Sequence, residues 1–144
     1  MNSPGGSLFD GISIYTAMAA SGKNITAKVM GVAASAASLI VMAASKISMP
    51  KNTHMMVHKA GVIAAGNADE MRATADWLDT LDNSIANTYA ARTGKSPGAL
   101  FKAMQAETWY SANESLAEGF CTSVAPLKSP SNCVDLSKFA KAPA

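Results

Sequence analysis

The chain has 144 residues, 49% hydrophobic and 15% charged, and its 12 basic and 10 acidic side chains leave a formal net charge of +2. That describes one domain able to bury a core without metal or disulfide, and it excludes disorder, collagen and coiled coil. With the lysines scattered rather than grouped, no basic stripe exists to neutralise phosphates, so nucleic acid is not an expected partner.

Asn2-Ser3-Pro4-Gly5-Gly6 is turn chemistry and carries neither the basic nor the apolar segment of a signal peptide. Leu8, Ile12, Tyr15 and Met18 then recur at helical spacing until Gly22-Lys23-Asn24 stops them. Ile25 to Met30 alternates as a strand entering a core, and Ala33 to Ala44 predicts a fully buried helix. The longest uncharged run, Val29 to Ser45, is too short and too rich in small residues to span a membrane. Lys46 to Met49 and His54 to Val57 predict short strands around Pro50-Lys51-Asn52. Strand, helix and strand in alternation predict an α/β fold with partly parallel pairing.

From Asn67 to Arg92, the positions Met71, Ala75, Leu78, Leu81, Ile85 and Tyr89 step by four, three, three, four and four. This predicts one long amphipathic helix. Ser96-Pro97 starts a short helix through Met104, Ser111 and Glu114 form a capping box for another, and Gly119 closes it. Residues 1–125 are expected to form the domain, and 126–144, with Pro126, Pro130 and Pro143, a flexible tail. Cys121 and Cys133 fit neither a redox CxxC nor a zinc ribbon, and read as unpaired thiols of a reducing, cytoplasmic compartment. Neither cofactor nor metal is expected.

Three elements carry candidate chemistry. Ser35 stands at a strand-to-helix junction among small residues, Gly31-Val32-Ala33-Ala34-Ser35-Ala36-Ala37-Ser38. A hydroxyl there is accessible and has free backbone N–H groups beside it for an oxyanion, although serine is also the ordinary N-cap of a helix. The Ser-Pro-Gly-Gly loop allows backbone amides to point at a ligand, or is an ordinary turn. His58 ends the apolar stretch Met55-Met56-Val57, where a strand delivers an imidazole to a site; His54 shares its strand face and competes with it. Lys46 or Lys59 is an alternative base, because a desolvated lysine can serve as one.

Taken in order, Asn2-Ser3-Pro4-Gly5-Gly6, Asp10-Gly11-Ile12, Gly31 to Ser38, Met49-Pro50, Met56-Val57-His58 and Ser111 to Phe120 resemble the Clp protease proteolytic subunit family. Ala-Ala-Ser-Ala-Ala-Ser, Ala90 to Lys95 and Glu107-Thr108-Trp109 look most like its phage and prophage head maturation members. The resemblance implies an α/β spiral of ββα units, like that of the crotonases, with a long protruding handle helix. It implies a serine endopeptidase in which Ser35 matches the nucleophile, His58 the base, and Gly6 and Ala36 the oxyanion-hole amides. Glu107 stands where the family usually has the triad aspartate. It implies a polypeptide substrate, capsid or scaffold protein or unfolded chain, and a ring-type homo-oligomer with the long helix at the contact between rings. An ATPase unfoldase is a further partner of the family. Because the chain starts just before the Ser-Pro-Gly-Gly loop, an N-terminally truncated form of the fold is expected, without the axial loops and part of the unfoldase-docking surface. Two other classes stand beside this one: a non-catalytic or truncated remnant of such an oligomer, and an acyl-CoA-handling enzyme of the crotonase-like fold.

Overall fold

Side-chain oxygens start most of the helices. Ser7 Oγ accepts the Asp10 N–H at the start of α1 (Leu8–Ala20). Asn67 and Glu70 close a full capping box on α3 (Ala68–Thr93), and Gly94 ends that helix with φ 74°. Ser96 caps α4 (Pro97–Gln105), whose first residue is proline. Ser111 and Glu114 cap α5 (Ala112–Ala117) as the sequence predicts. Each such cap satisfies an otherwise orphaned amide and contributes about 1 kcal/mol.

The computed structural model describes residues 1–126, so Cys133 and the expected tail beyond Pro126 lie outside the described residues. Between the helices run β1 (Thr26–Lys28), β2 (Val32–Ala34), β3 (Lys46–Pro50), β4 (His54–Val57), β5 (Thr108–Ser111) and β6 (Ser123–Ala125), with α2 (Ala36–Val41) directly after β2. They form two three-stranded sheets, ordered β1-β3-β6 and β2-β4-β5. The first is parallel throughout; in the second β2 pairs with β4 in parallel and β4 with β5 antiparallel. The first four strands alternate between the sheets, β1 then β2 before α2, and β3 then β4 before α3. Two ββα units are thus wound one after the other, a mixed α/β architecture. The predicted helix at Ala33 begins three residues late, because Val32–Ala34 pairs with His54–Met56 as a strand of its own. Short apolar runs do not distinguish buried strand from buried helix by periodicity.

Val29, Val41, Ile47, Met49, Met55, Val57, Met104 and Phe120 are almost completely buried and form one core between the sheets and α2. Gly11 lets α1 lie directly on α2, since a Cβ there would come within 3.0 Å of the Ala36 Cβ. The 26 residues of α3 extend about 39 Å. Only its second half is buried, at Asp82, Ile85, Ala86 and Tyr89, so its first half projects from the domain. Tyr89 is 2% exposed and Trp77 44%, so of these two aromatics of α3 only Trp77 offers surface.

Candidate active site

The parallel register of β2 and β4 pairs Ala34 with Met56. Ser35 therefore leaves the sheet beside Met56, and its N–H donates to the Met56 carbonyl at 3.0 Å. His58 follows the end of β4, so both residues emerge at the carboxyl ends of adjacent parallel strands, where open α/β sheets bind ligands. There His58 Nε2 lies 2.7 Å from Ser35 Oγ.

Two observations separate Ser35 from an ordinary helix cap. It occupies the N-cap position of α2, yet its side chain makes no capping hydrogen bond and turns to His58. Its backbone, at φ 55° and ψ −129°, lies in a region serine rarely adopts and costs about 1–3 kcal/mol. Strain of that size persists where the surroundings hold it.

The glycine loop reaches the same turn along the other side of β2. Ser3 bridges Ala33 in parallel, donating its N–H to Val32 O and accepting from Ala34 N–H. This carries Pro4-Gly5-Gly6 past Ser35. Gly5, at φ 103°, tolerates no side chain: a Cβ would sit 2.6 Å from the Ser35 Cβ and 2.8 Å from the Ala34 carbonyl oxygen. Among the described residues neither the Gly6 nor the Ala36 N–H donates to a protein acceptor. Ala36 opens α2, where an N–H has no intrahelical partner.

Glu107 comes to the same end of the sheet. The antiparallel rungs pair His54 with Ser111 and Val57 with Thr108, so one further rung would set His58 against Glu107. The chain leaves the extended region there, at φ 48°, and the exposed Glu107 carboxylate accepts from Trp109 Nε1 at 3.3 Å. Among the described residues it makes no hydrogen bond to His58.

A cavity of about 350 Å³ opens on the pair and on Gly6 and Ala36. Leu8, Phe9, Leu39, Val62, Leu78 and Tyr89 give it an apolar wall. His54 is exposed at the opposite end of β4 and pairs with Val32. Lys59 is not available as a base: its ammonium lies 2.9 Å from Asp79 and 3.3 Å from the buried Asp82, and these carboxylates raise its pKa. Lys46 begins β3 in the other sheet and is exposed. No cluster of potential metal ligands occurs among the described residues, and none of their helices is long and apolar enough to cross a membrane. Cys121 is buried and unpaired there, and burial pushes its thiol pKa up.

The sequence gives Ser38, Tyr89 and Asp82 no part in the site, yet the fold brings all three to it. Ser38 Oγ contacts both the Ser35 carbonyl and the Tyr89 hydroxyl, and Asp82 accepts the Ala60 N–H at 2.8 Å. The available signal was Asp82 itself, since Leu78, Asp82, Ile85 and Tyr89 step by four, three and four along the apolar stripe.

The fold defines a mixed α/β protein whose strand ends gather a serine, a histidine and a glycine loop. A sequence profile of the Clp protease family matches residues 1–127, and the chain belongs to that family. It is 33% identical over 123 residues to an ATP-dependent Clp protease proteolytic subunit of Chara vulgaris, covering 83% of this chain and 56% of the relative. It is 34% identical over 129 residues to the subunit of that name from Cycas taitungensis, covering 87% and 66%. With ATP-dependent Clp protease proteolytic subunit 3 of Streptomyces coelicolor the identity is 28% over 127 residues, covering 86% and 58%. The chain thus spans 56% to 66% of the length of these relatives.

Proposed function

We propose that the protein is a serine endopeptidase in which Ser35 is the nucleophile, His58 the general base, Glu107 the carboxylate that orients His58, and the Gly6 and Ala36 amides the oxyanion donors. The observation that carries this is the 2.7 Å contact between His58 Nε2 and Ser35 Oγ, made by a serine whose strained turn aims it away from its capping role. With Nε2 as acceptor, the imidazole holds its proton on Nδ1. Nε2 takes the Ser35 proton as Oγ attacks the peptide carbonyl, the two amides receive the oxyanion, and the imidazolium returns the proton to the leaving amine. Water activated by the same imidazole then releases the acyl group. An intact pair beside an open cavity favours this over a non-catalytic remnant.

The substrate is a polypeptide, and the apolar cavity wall receives an apolar side chain. The stretches Ala90 to Lys95 and Glu107 to Trp109 support a phage or prophage head maturation protease, acting on capsid or scaffold protein, as the particular member. We assign the protein to homo-oligomers of the ring type. ATP dependence is named for the relatives, and the chemistry of Ser35 and His58 needs no nucleotide.

A fluorophosphonate probe, with the adduct mapped by mass spectrometry, tests the assignment. Wild-type protein takes the label on Ser35, Ser35→Ala takes none, and Ser38→Ala still takes it on Ser35. Undiminished labelling of Ser35→Ala overturns the reading.

A further inference from the structure

Behind the nucleophile runs a hydrogen-bond chain with a fixed direction. Ser38 Oγ lies 2.6 Å from the carbonyl oxygen of Ser35 and 2.7 Å from Tyr89 Oη. A carbonyl only accepts, so the Ser38 hydroxyl proton is committed to Ser35. Ser38 must then accept at its other contact, and Tyr89 O–H is the donor. Both side chains are buried, at 0% and 2% exposure. Burial pushes the Tyr89 pKa up to about 12, which keeps the donor proton in place at ordinary pH. An edge-on contact with Phe120, ring centroids 5.6 Å apart, fixes the phenol ring itself.

The end of this chain bears on the reaction. The Ser35 carbonyl and the Ala36 N–H belong to one planar peptide unit, in which the C=O and N–H point in opposite directions. Whatever holds the carbonyl on one side sets where the N–H points on the other. The carbonyl also accepts the Ser38 N–H at 2.9 Å and the Leu39 N–H at 3.4 Å. Of its three donors, the Ser38 hydroxyl makes the shortest contact and is the one a side chain controls. Accepting at the oxygen polarises the amide and strengthens its N–H as a donor.

We propose that Ser38 and Tyr89 are positioning residues for the oxyanion site: the relay from Tyr89 O–H through Ser38 O–H to the Ser35 carbonyl aims and polarises the Ala36 N–H. The inference rests on Ser35 being the nucleophile and Ala36 an oxyanion donor. It gives α3 a function beyond packing, since Tyr89 brings the second half of that helix to the reacting turn.

The test separates activity from stability. Tyr89→Phe removes one oxygen and leaves Ser38 Oγ without its donor; Ser38→Ala leaves the buried Tyr89 hydroxyl without a partner. Each single change lowers the melting temperature, whereas the double variant Ser38→Ala/Tyr89→Phe leaves no orphan and recovers much of the loss. The readout is the second-order rate of labelling by a fluorophosphonate. In that step the Ser35 Oγ–P bond forms, the P–F bond breaks, fluoride leaves, the serine proton passes to His58, and the phosphoryl oxygen enters the oxyanion site.

We expect labelling to fall about tenfold in each single variant, less than the loss from deleting an oxyanion donor outright, and to stay low in the double variant. The pH midpoint of labelling stays at the wild-type value, because His58 is untouched. Labelling that returns to the wild-type rate as stability returns overturns the proposal and leaves the pair a packing feature. Wild-type rates in Tyr89→Phe, the mildest change, overturn it equally. Failure of the underlying assignment looks different, since wild-type protein then carries no adduct on Ser35 and the relay loses its purpose with it.

Discussion

Glu107 is the candidate residue whose observed contact differs most from its proposed role. The β5 register ends one residue short of it, at the Val57–Thr108 rung, and its carboxylate rests on the Trp109 indole at 3.3 Å. Both oxygens of an ionised carboxylate can accept, so the proposed role needs one of them to receive His58 Nδ1–H. That contact would fix the tautomer that leaves Nε2 free for Ser35, and would stabilise the imidazolium. Glu107→Gln is accordingly expected to keep the circular dichroism of the wild type and lower peptidase turnover by at least about a hundredfold, since a carboxamide holds the imidazole less well in the productive tautomer. Glu107→Asp, with a shorter arm, should be milder. Wild-type turnover in Glu107→Gln would remove it from the mechanism and leave a Ser35–His58 dyad.

Among the elements, legibility followed periodicity. The long apolar stripe of α3 and the caps of α4 and α5 are written in local spacing and were readable in the sequence. So was the Ser35 junction. β2 overlapped the start of the helix predicted from Ala33, and β6 was not anticipated. Each has only three residues, and their pairing with His54–Met56 and Ser48–Pro50 is decided by contacts distant in sequence. Asp82 shows in the sequence as a polar position on the apolar stripe, but its partners were unreadable for the same reason, because they lie on the loop that carries His58. It accepts the Ala60 N–H at 2.8 Å and faces Lys59 at 3.3 Å, tying that loop to α3. Asp82→Ala leaves a part-buried amide without a partner, and should cost about 1–3 kcal/mol in denaturant unfolding. Asp79 and Asp82 raise the Lys59 pKa, so the ion-pair contribution is fully present below the ordinary lysine value of 10.5. It is lost as pH rises through the folded-state value. The stability gap between wild type and Asp82→Ala should therefore narrow at strongly alkaline pH. A gap that is constant there would mean that the amide contact alone carries the effect.

For the whole molecule, the apolar surface is distributed unevenly. Phe9 on α1 and Trp77 on the projecting half of α3 stack with ring centroids 6.0 Å apart, and are 55% and 44% exposed. Val62 and Ile63, in the segment between β4 and α3, are 52% and 101% exposed. Scattered apolar residues need no explanation, but a stacked pair at the rim of the cavity, with apolar neighbours, has the composition of an interface core. A second copy laid on this face would cover the pair and leave the cavity enclosed between subunits, the arrangement expected of a ring-type peptidase. The protein should thus sediment at micromolar concentration as a species several times its 14.8 kDa monomer. Trp77→Arg sets a charge on the half-exposed position without disturbing the buried half of α3. It should shift the protein toward the monomer, with helix content retained and peptidase activity falling in step with assembly. A wild-type protein that sediments as a folded monomer would overturn the assembly. An assembled Trp77→Arg protein would move the contact to another face.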